Sequence, residues 1–140
     1  MEPTRIYRRE ASPRMTSVLL VDDNAVQAAT RRAILARAGN EVTVASSAAS
    51  ALLSLEEHDF LQSIGLLITD HLMPAMNGPE FVRSVRKFAP HLPVLVVSGL
   101  PDAEPEYHGL NVIFRVKPFA PEQLISLVRA LLGGPVGRTA

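Results

Sequence analysis

The stretch LLITDHLMPAMNG, residues 66–78, decides the fold of this 140-residue chain. Its first four residues are apolar or β-branched and show no polar alternation, which is typical of a strand buried on both faces of a parallel sheet. Asp70 follows the run directly, and residues 77–88 then repeat apolar side chains at helical spacing. The stretch therefore predicts a strand, a loop that carries a carboxylate, and a helix.

Similar apolar runs lie on either side of this unit, and longer segments separate them. The runs occupy residues 18–21, 42–45, 94–97 and 112–116. Helical spacing predicts two further helices, over residues 24–38 and 121–132. Repeated strand and helix units of this kind predict an α/β fold, a doubly wound five-stranded parallel sheet.

The first predicted helix has a predicted buried face, and one connection fits the helical pattern poorly. In the first predicted helix, spacing favours a buried apolar stripe that leaves Arg31 largely outside it; the stripe comprises Val26, Ala29, Ala33 and Ala36. Between the fourth and fifth runs, Pro101 and Pro105 interrupt a segment with little helical periodicity. We therefore expect the fourth helix to be short or irregular.

Composition excludes several classes of function. The chain carries 14 Lys and Arg residues against 14 Asp and Glu residues and has no cysteine. Nucleic-acid binding requires a basic surface that this balance does not provide, and thiol catalysis and cysteine-based zinc sites are excluded. No apolar run approaches the ~20 residues of a membrane span, and the N-terminus lacks a signal sequence. We expect one cytoplasmic domain that binds neither DNA nor a membrane.

The ends of the chain differ from its middle. Residues 1–16 hold four arginines against two glutamates and few apolar residues, which predicts a flexible extension with a net charge of +2. Met15 could equally mark an alternative translation start. The domain is predicted over residues 17–133, followed by a short tail over 134–140. With so short a tail we expect no output domain, so that any signal leaves by contact with another protein.

The carboxyl ends of four predicted strands are marked by polar residues, at the edge where open α/β sheets bind ligands. They are Asp22, Asp23, Asp70, Ser98 and Lys117. Three carboxylates against one ammonium leave a net charge of −2, and at ~4 Å and an effective dielectric constant of ~20 each like-charge pair costs about 4 kcal/mol. The cluster therefore predicts a hard divalent cation with oxygen ligands, Mg²⁺.

Asp70 is the predicted nucleophile of this cluster. It stands alone at its strand end, whereas Asp22 and Asp23 are adjacent and better placed to hold a metal. A carboxylate beside a divalent cation and a lysine can attack phosphorus, because the two cations neutralise the oxygens of the transferred group. The expected product is an aspartyl phosphate.

Four motifs, in this order and spacing, resemble the receiver domain of two-component response regulators over roughly residues 17–132. They are VLLVDDN at residues 18–24, LLITDHLMPAMNG at 66–78, VLVVSG at 94–99 and VIFRVKPF at 112–119. The resemblance implies a flavodoxin-like receiver fold with strand order 2-1-3-4-5. It also implies a phosphoacceptor rather than an enzyme, which assists its own phosphorylation and dephosphorylation.

The resemblance assigns the phosphoryl and metal chemistry to particular residues. Asp70 is implied to take a phosphoryl group from a sensor histidine kinase or a phosphotransfer protein. Asp23, Asp70 and the backbone carbonyl of Leu72 are implied to ligate Mg²⁺ directly, and Asp22 to act mostly through water.

The resemblance also implies how the phosphoryl group is held and sensed. Ser98 and Lys117 each bind a phosphoryl oxygen, and the peptide between Lys117 and Pro118 is cis. Phe114 turns inward when Ser98 moves toward the phosphoryl group. The resemblance leaves the downstream partner unknown. It implies that a homodimer can form through the face of the fourth and fifth helices.

Each residue also has a plainer interpretation when it is taken singly. Asp22 and Asp23 could cap the first helix, Asp70 could be a turn residue, and Lys117 could be a solvated charge. The four histidines lack metal-ligand spacing, and we expect surface or turn positions for them; they are His58, His71, His91 and His108.

Other functions fit the residues less well. A metal-dependent phosphohydrolase needs a second carboxylate two residues after the nucleophile, where this chain has Leu72. A flavodoxin-like nucleotide binder needs a phosphate loop that donates N–H groups, whereas the first loop presents two carboxylates. A receiver severed from a hybrid histidine kinase, and a phosphorylation-independent scaffold, remain alternatives.

Leu72 and Leu100 follow Asp70 and Ser98 by two residues each. Apolar side chains at these positions should overhang the site and limit the ordering of an attacking water. We therefore hypothesise slow self-dephosphorylation.

Overall fold

The computed structural model describes residues 17–133, so the predicted extension, 1–16, and the predicted tail, 134–140, lie outside the described residues. Five strands form one parallel sheet in the order β2-β1-β3-β4-β5, which confirms the predicted fold class and strand order. The strands are β1 (Ser17–Val21), β2 (Glu41–Ala45), β3 (Leu66–Asp70), β4 (Val94–Ser98) and β5 (Ile113–Val116).

The central strands β1, β3 and β4 are buried on both faces. Leu19, Leu67 and Val96 belong to the apolar cluster on one side of the sheet. Leu20 and Ile68 belong to the cluster on the other side. Successive residues of a strand face opposite sides of the sheet, and both sides are covered by an apolar cluster. These strands therefore carry apolar residues without alternating polar ones.

Five α-helices cover the two faces of the sheet. They are α1 (Ala25–Arg37), α2 (Ala48–Leu55), α3 (His58–Ser63), α4 (Gly78–Phe88) and α5 (Pro121–Gly133). Helices α1 and α5 place Leu35 and Val128 in one cluster, and α2 and α4 place Leu55 and Phe81 in the other. The three predicted helices are therefore present. Within residues 17–133, no helix is long and apolar enough to cross a membrane.

The buried face of α1 differs from the predicted one. Ala28, Arg31 and Leu35 are buried, whereas Val26 of the predicted stripe is 77% exposed. Alanines lie on several sides of this helix, so apolar spacing alone does not select a face. Arg31 pairs with carboxylates at the strand ends, and this contact favours the observed orientation. The predicted stripe was wrong.

A 3-10 helix (Pro101–Tyr107) forms the connection between β4 and β5. Pro105 lies inside it and has no backbone N–H to donate, which prevents a regular helical ladder there. The prediction of a short or irregular fourth helix is confirmed. The segment nevertheless buries Ala103 and Tyr107 in the apolar cluster that also contains Phe81.

Arg86, in the last turn of α4, joins this helix to the loop before β5. Its guanidinium donates hydrogen bonds of 2.7–3.0 Å to four backbone carbonyls, those of Ala89, Leu92, Leu110 and Asn111. Asn111 adopts a left-handed φ of 58°. One side chain therefore fixes both the end of α4 and the path of the chain into β5.

We predict that Arg86→Met lowers the free energy of unfolding by about 2–3 kcal/mol, because four carbonyls lose a charged donor. Urea denaturation followed by circular dichroism measures the loss. Arg83→Met is the matched control, since Arg83 is exposed on the same helix, and it should change stability by less than about 0.5 kcal/mol. Equal losses in the two variants would contradict the assigned role of Arg86.

Candidate functional site

The three predicted carboxylates meet at one edge of the sheet. Asp22 directly follows β1 and Asp70 ends β3, and these strands are hydrogen-bonded neighbours. Asp22, Asp23 and Asp70 each offer an oxygen within 4.8 Å of the others. Asp22 and Asp70 are buried, with 1% and 5% of their surface exposed, and Asp23 faces solvent. The cluster thus has a buried pair and one accessible member.

Burial raises the pKa of the Asp22 carboxyl above its ordinary value of 3.8, and the proximity of Asp70 adds to the rise. Hydrogen bonds from the Asn24 backbone and the Gln27 side chain act in the opposite direction. Three clustered carboxylates are hard oxygen donors, so these residues fit a divalent cation such as Mg²⁺.

Both oxygens of Asp70 are engaged by donors. Lys117 Nζ and Arg31 Nη1 each lie 3.2 Å from Oδ1, and Gln27 Nε2 donates to Oδ2 at 2.9 Å. The structure therefore brings the predicted pair of Asp70 and Lys117 into contact. These contacts hold the Asp70 carboxylate in one orientation, with the Lys117 ammonium beside Oδ1.

Sequence reasoning missed Arg31 and Gln27. Arg31 Nη1 also lies 3.4 Å from Asp22 Oδ2, and Gln27 Nε2 donates to the same oxygen at 2.8 Å. The predicted net charge of −2 omitted the Arg31 guanidinium, and its inclusion leaves −1 for the cluster. Their spacing in the sequence could have linked them, because Gln27 and Arg31 are one helical turn apart and lie on the same face of α1.

Ser98 ends β4, the neighbour of β3, and Phe114 lies in β5, the neighbour of β4. The Ser98 hydroxyl is buried and accepts a hydrogen bond of 2.9 Å from the Leu100 backbone N–H. Phe114 is also buried, with 7% of its surface exposed, so its ring already points inward. The peptide between Lys117 and Pro118 is cis, as the resemblance implied.

Two leucines flank the carboxylates. Leu72 is 65% exposed and Leu100 is 47% exposed. Each lies two residues beyond a strand end of the site, as β3 ends at Asp70 and β4 ends at Ser98.

The surface or turn position expected for His71 is corrected by the structure. This side chain is buried, and a hydrogen bond of 2.7 Å joins its Nδ1 to the Tyr107 hydroxyl. Its Nε2 lies 3.9 Å from Glu106 Oε1. His71 follows Asp70 directly, so the contact ties the loop after β3 to the 3-10 helix.

Tyr107 is at the centre of a packed group of rings. Its centroid lies 5.6 Å from that of His71 and 5.9 Å from that of Phe114. A Cβ built on Gly78 would collide with the Tyr107 hydroxyl, so only glycine leaves room for it. Burial raises the pKa of Tyr107, which keeps the hydroxyl protonated. The start of α4, the loop after Asp70 and the 3-10 helix therefore meet at one hydroxyl group.

Comparison with known proteins identifies the architecture. The family described as "Response regulator receiver domain" matches residues 18–129. The hydrogenase transcriptional regulatory protein HoxA of Cupriavidus necator is 30% identical over 84% of this chain, and the sensor kinase CckA of Brucella abortus is 32% identical over 84%. The chain spans only 24% of HoxA and 12% of CckA.

A solved structure agrees with these sequence comparisons. The chemotaxis response regulator CheY4 of Vibrio cholerae superposes with a TM-score of 0.74 at 29% identity. The alignment covers 84% of this chain and 99% of that structure.

We predict that Tyr107→Phe lowers the free energy of unfolding by about 1–3 kcal/mol, because the buried His71 Nδ1 loses its partner while ring packing is retained. Urea denaturation measures the change. In a His71→Leu background the same substitution should cost much less, since the hydrogen bond is already absent. Equal costs in both backgrounds would show that the Tyr107 hydroxyl does not act through His71.

Proposed function

The chain belongs to the response regulator receiver family of two-component signalling, and from that premise we propose that Asp70 accepts a phosphoryl group from a phosphohistidine of a partner protein. The observation that carries this proposal is the placement of Asp70. Its carboxylate ends the central strand β3, with Lys117 3.2 Å from one oxygen and the carboxylates of Asp22 and Asp23 beside it.

The transfer makes one bond and breaks one. A carboxylate oxygen of Asp70 attacks phosphorus, a P–O bond forms, and the P–N bond to the partner's imidazole breaks; the imidazole leaves with its electron pair and takes a proton. Lys117 pairs with the charge that develops on the phosphoryl oxygens. The product is a mixed anhydride on Asp70, in which a phosphoryl group of roughly −1.5 to −2 charges replaces the single charge of the carboxylate, so the site gains about −0.5 to −1.

Mg²⁺ fits this chemistry, and we propose that Asp23, Asp70 and the backbone carbonyl of Leu72 hold it, with Asp22 acting through water. When bound, the ion neutralises charge on the phosphoryl group in the way that metal ions generally do in phosphoryl transfer. The support is the set of three carboxylates within 4.8 Å of one another. Asp22 has a raised pKa, which further favours a site that gains a cation.

We propose that Ser98 and Phe114 pass the signal on. The Ser98 hydroxyl donates to the Leu100 carbonyl oxygen at 3.4 Å and must turn away from it before it can donate to a phosphoryl oxygen. Movement of this loop changes the start of the 3-10 helix, because Pro101 follows Leu100 directly. Phe114 packs on Tyr107 of that helix and so responds to the same movement.

The partner proteins are part of the proposal. A sensor histidine kinase or a phosphotransfer protein supplies the phosphoryl group, and an unknown downstream protein reads the result by contact. A homodimer through the face of the predicted fourth helix, which is the 3-10 helix between β4 and β5, and of α5 stays a prediction. CckA is a sensor kinase in which a receiver-like stretch is part of a longer chain, so the origin of this domain in a hybrid kinase stays an alternative. Leu72, in the position of a second acid, disfavours a phosphohydrolase.

Exposure to a small phosphodonor should add one phosphoryl group to the protein in the presence of Mg²⁺, as measured by intact mass spectrometry. The adduct should be absent from Asp70→Ala, which lacks the nucleophile. Asp59→Ala is the control, because Asp59 is an exposed carboxylate on α3 and its loss should leave the adduct unchanged. Absence of a Mg²⁺-dependent adduct on the unmodified chain would refute the proposal.

The exposed leucines lead to a prediction about the lifetime of the adduct. Leu72→Asn should shorten the half-life of the phosphorylated protein several-fold, since an amide can orient a water where the leucine excludes one. Decay of the adduct mass after removal of the donor measures this. Leu53→Asn is the matched control, because Leu53 is 69% exposed on α2 and away from the site. An unchanged half-life in Leu72→Asn would disprove the shielding role.

A further inference from the structure

Arg31 stands out among the residues around the carboxylates, because neither the phosphoryl transfer nor the metal site accounts for it. It is a buried charge, 8% exposed, on the face of α1 that also buries Ala28 and Leu35. Its Nη1 bridges Asp22 Oδ2 at 3.4 Å and Asp70 Oδ1 at 3.2 Å. Burial of a guanidinium is unfavourable unless it is paired, so these contacts hold it in place.

Gln27 reinforces the bridge. Its Nε2 donates to Asp22 Oδ2 and Asp70 Oδ2, and Lys117 Nζ donates to its Oε1 at 3.4 Å. One face of α1 therefore presents a cation and an amide to the two buried carboxylates. The oxygens that these groups occupy are the hard donors that a divalent cation would need.

The two cations compete for the same atoms. Asp22 and Asp70 can serve either the guanidinium or a metal ion through these oxygens, and a divalent ion within a few ångströms of Arg31 is strongly repelled. Binding of the ion therefore requires Arg31 to move away.

A cavity of about 380 Å³ gives Arg31 a place to go. It lies between α1 and the segment from Lys117 to Leu124, and its lining includes Arg31 itself, Thr30, Ile34 and Phe119. An arginine stem packs well on apolar walls of this kind while its charged end stays near solvent. The displaced side chain need not be exposed completely.

We propose that Arg31 is an internal counter-ion of the acidic site, which holds Asp22 and Asp70 in place and yields to a divalent cation by moving into the adjoining cavity. This inference rests on the proposed function, because it takes the carboxylates to be a metal site. Arg31 is a positioning residue here, and its effect is to weaken metal binding and to couple metal occupancy to α1.

Calorimetric titration with Mg²⁺ tests the proposal directly. Arg31→Met keeps the length of the side chain and removes the charge, and it should bind Mg²⁺ about tenfold more tightly than the unmodified chain. Arg32→Met is the matched control: Arg32 is the exposed neighbour on the same helix, so the net charge changes equally. Tightening in Arg31→Met alone supports the proposal. Equal affinities in the two variants, or no binding to Arg31→Met, overturn it.

A second measurement follows Mg²⁺ binding in the unmodified chain and uses a conservative variant only to assign one signal. The guanidinium Nε–Hε signal of Arg31 in a nitrogen NMR spectrum is assigned by its loss in Arg31→Lys. Addition of Mg²⁺ should shift this signal and speed its exchange with water. A signal that is unaltered up to the highest Mg²⁺ concentration at which the protein stays dissolved overturns the proposal.

The two proposals fail in different ways. Missing Mg²⁺-dependent phosphorylation on Asp70 refutes the proposed function, whatever the metal titrations give. Normal phosphorylation together with equal Mg²⁺ affinities in Arg31→Met and Arg32→Met refutes only the role of Arg31.

Discussion

The arrangement of this domain depends on two carboxylates that the sheet forces together. Strands β1 and β3 are parallel neighbours, so Asp22 and Asp70 arrive at the same edge with most of their surface buried. Such a pair is costly in an interior that screens charge poorly. The surroundings offset that cost with groups from two separate parts of the chain, Gln27 and Arg31 of α1 and Lys117 after β5.

Sequence reasoning could reach the frame and the acidic residues. The uninterrupted apolar runs of β1, β3 and β4 identify strands buried on both faces, and a residue that directly follows such a run lies at the edge of the sheet. The irregular connection between β4 and β5 could also be predicted from the sequence, because Pro101 and Pro105 fix their own φ angles and lack the N–H that a regular helix needs.

The same reasoning failed for two buried polar side chains, Arg31 and His71. Hydrophobic spacing left Arg31 outside the predicted buried stripe, and the lack of metal-ligand spacing suggested a surface or turn position for His71. Their positions are decided by partners that lie 39 and 36 residues away, Asp70 for Arg31 and Tyr107 for His71. These contacts exist only after the fold has formed, so local spacing shows that Arg31 shares a helix face with Gln27 but not which residues that face meets.

The hydroxyl group of Tyr107 has a consequence for how this chain can change by mutation. It bonds to His71 and occupies the space where a side chain at Gly78 would begin. A larger residue at position 78 is compatible only with a shorter one at 107, and that exchange leaves His71 buried without a partner. Three positions scattered over almost forty residues of sequence therefore share a single volume, and substitutions at any one of them are permitted or forbidden by the other two.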